Sequence, residues 1–489
     1  LILLHFLINT LSHYNINTLF TKYFTSKAIG YYLAVLFLVN MVFINYFMPL
    51  IWWLFGIVAV VGFFNGTRNL IVKWADLPEK IFIKKLFKTA LIIRVVVVTI
   101  MYFLYTALTG VPFEYHAADV GFYHSIAEFG AQCLWDGKFD LTNQFLTQDS
   151  RIALSDMGYP IFLSTVYALT GKSILLSRII NAIFSAWMVV LVYRLAQRNF
   201  GEQVGRMAGI FVMLMPNFLY YAASTLKEND MIFLTVLFIE RADFLLRSQN
   251  FSFKAILPAM LIIGYLFMFR TALAAALIFA LFTAAFLTSK RVLKLQKKFV
   301  LGIWVFATVA FFIGGMVATE IEQLWSSRTG NQEKMLEYRA TRKDGNKFAT
   351  YAGAAVFAPM IFVIPFPTIV NVHHQENQQL IHGGNYVKNI MAFFVIYVLF
   401  HFIKTGKWRD HLLISAATLG YLMVIAFSAF AQSERFHLPA LPFILIFAAY
   451  GISIFDMRKH GKYFNWWVMF IFVAIVAWSW FKLAGRGLV

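Results

Sequence analysis

Residues 84–120 read KKLFKTALIIRVVVVTIMYFLYTALTGVPFEYHAADV. Lys84, Lys85 and Lys88 close a basic, amphipathic run that also holds Arg68, Lys73 and Lys80. Thr89 to Leu108 then supplies about 20 mostly apolar residues, the length a helix needs to cross a bilayer. Lysine and arginine collect on the cytoplasmic side of membrane proteins. The span therefore leaves the cytoplasm and delivers the next stretch, Gly110 to Tyr159, to the external side. That loop carries Glu114, His116, Asp119, His124, Glu128, Asp136, Asp140, Asp149, Arg151 and Asp156. A long ordered loop usually functions rather than connects. Two apolar patterns, Val120–Cys133 and Ile161–Leu169, are too short to span and predict helices lying along the membrane surface.

Composition agrees with this reading. Of 489 residues, 60% are hydrophobic, 18% aromatic and only 13% charged. Soluble domains average about 45–50% apolar and about 25% charged residues. The chain cannot coat a water-exposed surface of its size, which excludes a soluble enzyme, a disordered protein and a secreted disulfide scaffold. It predicts an all-α polytopic membrane protein. The net charge is +19, from 42 Lys+Arg against 23 Asp+Glu. In a membrane protein that excess sorts first to cytoplasmic turns, and no nucleic-acid partner is expected. Cys133 is the single cysteine, so neither an intrachain disulfide nor a CxxC motif exists. The chain begins at Leu1, and no cleavable signal peptide is read there.

On either side of this segment, spans are expected at about Ala28–Phe47, Met48–Phe64, Thr89–Leu108, Ser173–Leu195, Val204–Tyr221, Met231–Leu246, Ala255–Phe269, Thr271–Thr288 and Phe299–Ala318. Four more lie at Val387–Ile403, His411–Phe430, Leu438–Phe455 and Trp466–Ala484, about 13 in all. Cytoplasmic turns are marked by Arg194, Arg198 and Arg206, by Arg241, Arg247 and Lys254, and by Lys290, Arg291, Lys294, Lys297 and Lys298. The alternation is self-consistent. Tyr351–Pro367 has two external flanks and is read as re-entrant or surface-lying. Four regions result: an N-terminal membrane hairpin with its basic cytoplasmic segment (1–88), a transmembrane core (89–318) that includes the external loop 110–159, a second external loop with the re-entrant or surface helix (319–387), and the C-terminal helices (388–489). No internal repeat, low-complexity tract or soluble domain is evident.

Reactive residues gather at the external ends of helices: Asp119 and its neighbours, Lys227-Glu228, Arg270, His373 and His374, and Glu434 to His437. The spans carry few midplane charges, which counts against an ion-coupled transporter. Seven segments in order, HAADVGFYHSIA at 116–127, GYPIFL at 158–163, RIINAIF at 178–184, YRLAQRNFG at 193–201, YYAASTLKE at 220–228, FRTAL at 269–273 and RFHLPALP at 435–442, resemble the membrane glycosyltransferases of the GT-C superfamily. The resemblance is closest to family 39-like enzymes, a group that includes protein O-mannosyltransferases and the aminoarabinose transferases of lipid A.

The resemblance implies a sugar, hexosyl or pentosyl, carried on a polyprenyl phosphate and moved with inversion to an acceptor hydroxyl of a glycan, lipid or protein on the external (periplasmic or luminal) face. For the localisation it implies a multi-pass protein of the bacterial inner membrane. Asp119 matches the family's base and Glu228 a second family acid. The commoner pattern has another acid directly after the first; here that position is Val120, so a two-acid metal arrangement is absent there. A carboxylate must come within about 2.6–3.2 Å of the attacking hydroxyl, and the departing phosphate needs cations. Arg270, Arg435 and Lys227 are the candidates for it, because Arg clamps phosphate bidentately and Lys acts as a point charge. His116, Tyr123, Tyr159 and His437 are expected to contact substrate. No cofactor is required, a divalent cation is left open, and no metal ligands are assigned.

Each residue also has a plainer role. Asp119 suits the N-cap of a helix starting at Val120. Thr225-Leu-Lys-Glu228 fits the capping box T-x-x-E. Arg270 and Arg435 could snorkel to lipid headgroups. His373 and His374 are adjacent in a polar loop, where histidines are seldom ligands. An oligosaccharide polymerase or ligase using a diphosphate-linked donor, and a lipid-linked sugar transporter, stand as alternatives.

Overall fold

The structure, a computed structural model, describes residues 22–116, 118–148, 154–247, 253–287, 334, 337–338, 340–341, 345–348, 354–428 and 430–489. All regular structure among them is helical. The expected span Phe299–Ala318, the basic turn 290–298, Asp149, Arg151 and most of the loop 319–347 lie outside the described residues.

Six helices there are long and apolar enough to cross a membrane: α1 (Lys22–Val42), α2 (Leu50–Lys73), α3 (Glu79–Thr109), α7 (Ile174–Phe200), α13 (His382–Thr405) and the Lys459–Ala484 part of α16 (Met457–Ala484). α3 shows why the sequence makes such a helix. Pro78 precedes it, and Gly110, in the left-handed region at φ 78°, ends it by donating its N–H to Thr106 O. Phe82, Leu86, Ala90, Arg94, Val98, Met101 and Tyr105 form one buried stripe at helical spacing. Ile92, Val96, Ile100 and Phe103 are apolar yet exposed on the other side. A helix apolar all round belongs in a membrane or a large core. The chain is an integral, multi-pass membrane protein.

The remaining helices of seven residues or more are α4 (Ala118–Trp135), α5 (Leu141–Gln148), α6 (Gly158–Thr170), α8 (Glu202–Leu214), α9 (Pro216–Ala222), α10 (Glu228–Arg247), α11 (Phe253–Phe267), α12 (Thr271–Leu287), α14 (Leu412–Ala426) and α15 (Leu441–Ile454). α7 is the hub, packed against α3, α8 and α10; α13 joins α2 to α15, and α12 packs on α14. Crossings are tight where glycine allows it. A Cβ on Gly451 would lie 2.5 Å from Phe394 O, and one on Gly383 would lie 2.9 Å from Gly56 O. Small residues let helix backbones approach in membranes.

The two short helices expected around the external loop are α4 and α6, and they pack on each other. The window 204–221 is not one helix, because Pro216 separates α8 from α9. Proline has no N–H for the carbonyl four residues earlier, which is Val212 O. Arg94, fully buried at the middle of α3, supplies the missing donors: Nη2 to Val212 O and Nη1 to Met213 O, both 3.3 Å, with Nε on Ser185 Oγ at 2.7 Å. This intramembrane cation caps a helix end. The segment after Met360 has no regular helix up to Glu376; it is held to α13 by Asn389 and by Lys388, whose Nζ donates to Ile364 O.

Candidate active site

Three of the expected residues meet in one row. Arg435 lies in a single helical turn, Glu434–His437, between α14 and α15. Its Nη1 donates to Asp119 Oδ2 at 2.7 Å and its Nε to Glu228 Oε1 at 2.8 Å. Asp119 sits in the first turn of α4 and Glu228 in the first turn of α10, where negative charge suits the helix dipole. Their environments are opposite: the Asp119 side chain is 53% exposed and that of Glu228 0%. Glu228 Oε2 has no hydrogen-bond partner among the described residues. Burial works against the Arg435 charge, but Glu228 and Asp119 outweigh it and hold the guanidinium more firmly protonated than usual.

The turn that carries Arg435 is anchored on both sides. Tyr221 donates its O–H to Glu434 Oε1 at 3.3 Å, and burial pushes the Glu434 carboxyl up. Phe436 stacks on Phe430, with ring centroids 4.3 Å apart. Arg270 lies over the Phe436 ring at 4.3 Å and donates to Tyr421 O–H at 3.0 Å. A second cation thus joins the site through the ring shared with Arg435. Tyr123 is buried on α4, and burial together with the Asp156 and Glu228 carboxylates keeps its phenol protonated. Tyr159 is buried below it, the two rings 5.2 Å apart and edge to face.

Other expected residues take other places. Lys227 pairs with Asp156 and donates to Phe269 O at 3.1 Å, tying the approach to α6 and the α11–α12 link to the start of α10. His116 contacts His374, 3.0 Å between Nε2 and Nδ1, and lies 3.6 Å from Glu376. His437 is buried, with Nε2 on Ala431 O at 2.8 Å and Nδ1 3.2 Å from Lys388 Nζ. No group of three or more His, Cys, Asp or Glu among the described residues is placed to hold a metal ion.

Two residues matter more than their sequence signals suggested. Glu114 and Arg178 form a buried pair at 3.9 Å, and Arg178 Nη2 donates to Pro112 O at 2.6 Å. Burial raises the Glu114 carboxyl, with the Arg178 charge opposing it. Glu114 was one of seven acids in that loop. The usable signal was Arg178, an arginine only one turn inside an otherwise apolar window.

The opposite end of α7 and α10 is different in kind. There Arg198 binds Glu240 at 2.7 Å and Asp243 at 3.0 Å, and Arg247 binds Asp243 at 2.9 Å. That cluster fastens two helices through carboxylates that are almost wholly buried.

Residues 157–313 match the family described as dolichyl-phosphate-mannose-protein mannosyltransferase. No curated protein and no solved structure matches the chain. The matched stretch contains Lys227, Glu228 and Arg270, and lies within a polytopic helical chain whose ordered motifs pointed the same way. The match over residues 157–313 supports membership of the GT-C superfamily of membrane glycosyltransferases.

Proposed function

We propose that the protein transfers a hexose or pentose from a polyprenyl phosphate to an acceptor hydroxyl of a glycan, lipid or protein, with inversion, on the external face of the membrane. The observation that carries this reading is the row Asp119–Arg435–Glu228, an exposed carboxylate and a buried one sharing a single guanidinium. A lipid-phosphate sugar is the donor in the matched family's description, and the basic ends of α7 and α10, opposite this row, support an external site. In this reading the chain crosses the bilayer about 13 times. The six long helices, the α8–α9 pair, α10, α11, α12, α14, α15 and the 299–318 window make up that count.

Asp119 takes the proton of the acceptor hydroxyl. The acceptor oxygen bonds to the anomeric carbon from the side opposite the phosphate. The carbon–oxygen bond to the phosphate breaks with its electron pair, releasing polyprenyl phosphate. An arginine has five N–H donors, and two of those on Arg435 serve Glu228 and Asp119. Three remain for phosphate oxygens without Asp119 being released. Arg270 and Lys227 add charge beside it, Lys227 sharing itself with Asp156. Glu228, with no exposed surface, holds Arg435 and does not itself reach substrate.

The donor tests the reading. Purified full-length protein in lipid vesicles, supplied with total membranes of the source cell as acceptor, is given either a labelled polyprenyl-monophosphate sugar or a labelled polyprenyl-diphosphate oligosaccharide. Label from the monophosphate donor should enter acceptor. Transfer from the diphosphate donor alone would instead favour a polymerase or ligase.

A further inference from the structure

The pattern Thr225-Leu-Lys-Glu228 predicts a reciprocal capping box, with the Glu228 carboxylate on Thr225 N–H. The structure forms no such box: α10 starts at Glu228, so Glu228 is its first residue and Thr225 lies before its cap. Thr225 N donates to Glu114 Oε1 at 3.1 Å, and Thr225 Oγ1 accepts from Arg178 Nε at 3.0 Å. Both polar groups of Thr225 are therefore engaged from outside the helix. Glu114 is 5% exposed and Arg178 0%, so neither bond competes with water. Glu228, three residues beyond Thr225, gives Oε1 to Arg435 instead. Glu114 lies five residues before Asp119, and the same side chain thus ties the approach to α4 to the approach to α10.

We infer that Glu114, held by Arg178, is a positioning residue: through Thr225 it fixes the stretch that leads into α10, and so keeps Glu228, the first residue of that helix, turned to Arg435. Removing the Glu114 carboxylate leaves a buried N–H without an acceptor, and the stretch before Glu228 is no longer fixed by it. Once Glu228 shifts, Arg435 loses the buried half of its support and the clamp beside Asp119 loosens. Misplacing a reacting group by about 1 Å can cost about 10²-fold in rate.

The inference rests on the proposed transfer reaction, so Asp119→Asn is assayed beside it in full-length, vesicle-reconstituted protein with a labelled polyprenyl-phosphate sugar and total membranes as acceptor. Glu114→Ala should lower kcat by about 10- to 100-fold. Adding Glu228→Gln to it should cost nothing beyond Glu228→Gln alone, because the effect passes through Glu228. Glu114→Gln with Arg178→Gln keeps an acceptor for Thr225 N–H without stranding a buried charge, and should keep kcat within about three-fold. That double variant carries the test if Glu114→Ala does not fold. Full activity of Glu114→Ala, additive losses with Glu228→Gln, or a double-glutamine variant as slow as Glu228→Gln would each overturn the inference. If Asp119→Asn itself stays active, it is the reading of the site that fails.

Discussion

Asp119→Asn should lower transfer by about 10²–10⁴-fold, the range that a positioned general base contributes, while leaving the fold intact. The asparagine oxygen can still accept from Arg435 Nη1, now 2.7 Å from Asp119 Oδ2. It cannot take a proton. Asp119 is half exposed, and exposed ion pairs contribute about 0–1 kcal/mol, so thermal unfolding should move little. α4 starts at Ala118, which puts Asp119 inside the first turn rather than at the expected N-cap before Val120. A residue that serves only that helix end would keep transfer in the asparagine variant. Transfer rate and melting temperature, measured on the same detergent-solubilised preparation, separate the two roles.

Arg435→Met should be costly in both respects. It removes the charge partner of Glu228, which has no exposed surface. Breaking a buried pair from one side costs about 3–5 kcal/mol, because the other charge is left uncompensated. Transfer should fall as well, since removing one donor that stabilises a developing anion costs about 10²–10³-fold. Arg435→Lys should not rescue transfer: a point charge cannot span two carboxylates and still present three N–H groups to phosphate. The informative variant is Arg435→Met with Glu228→Gln. It should recover most of the stability, measured by thermal unfolding, and none of the transfer. A headgroup-snorkelling Arg435 would show neither the instability nor its repair.

The membrane class was largely legible in the residues, and so were the three charges that meet in one row; their wiring was not. A charge fraction half that of soluble proteins sufficed for the class. Asp119, Glu228 and Arg435 were singled out as helix-end charges, and the structure joins them across a separation of 316 residues between Asp119 and Arg435. Local patterns misled where a distant partner was stronger. The capping box is a four-residue motif, but α10 starts only at Glu228, and the acceptor that Thr225 N–H uses lies 111 residues away. The window 204–221 was apolar enough for one helix, but Pro216 splits it, tolerable because Arg94 from another helix supplies donors to its freed carbonyls. His437, two residues from Arg435 in sequence, is buried against Lys388, because one helical turn sends neighbouring side chains in different directions.

The proposed chemistry is a single displacement in which Asp119 is a base and never a nucleophile. The linkage of the product reports on it. Vesicle-reconstituted protein, given a ¹³C-labelled polyprenyl-phosphate sugar of known anomeric configuration and total membranes as acceptor, yields a glycoside whose configuration NMR reads at the labelled anomeric carbon. The expected result is the inverted configuration, absent from the Asp119→Asn sample. A retained configuration, or inverted product formed at the wild-type rate by Asp119→Asn, would overturn it.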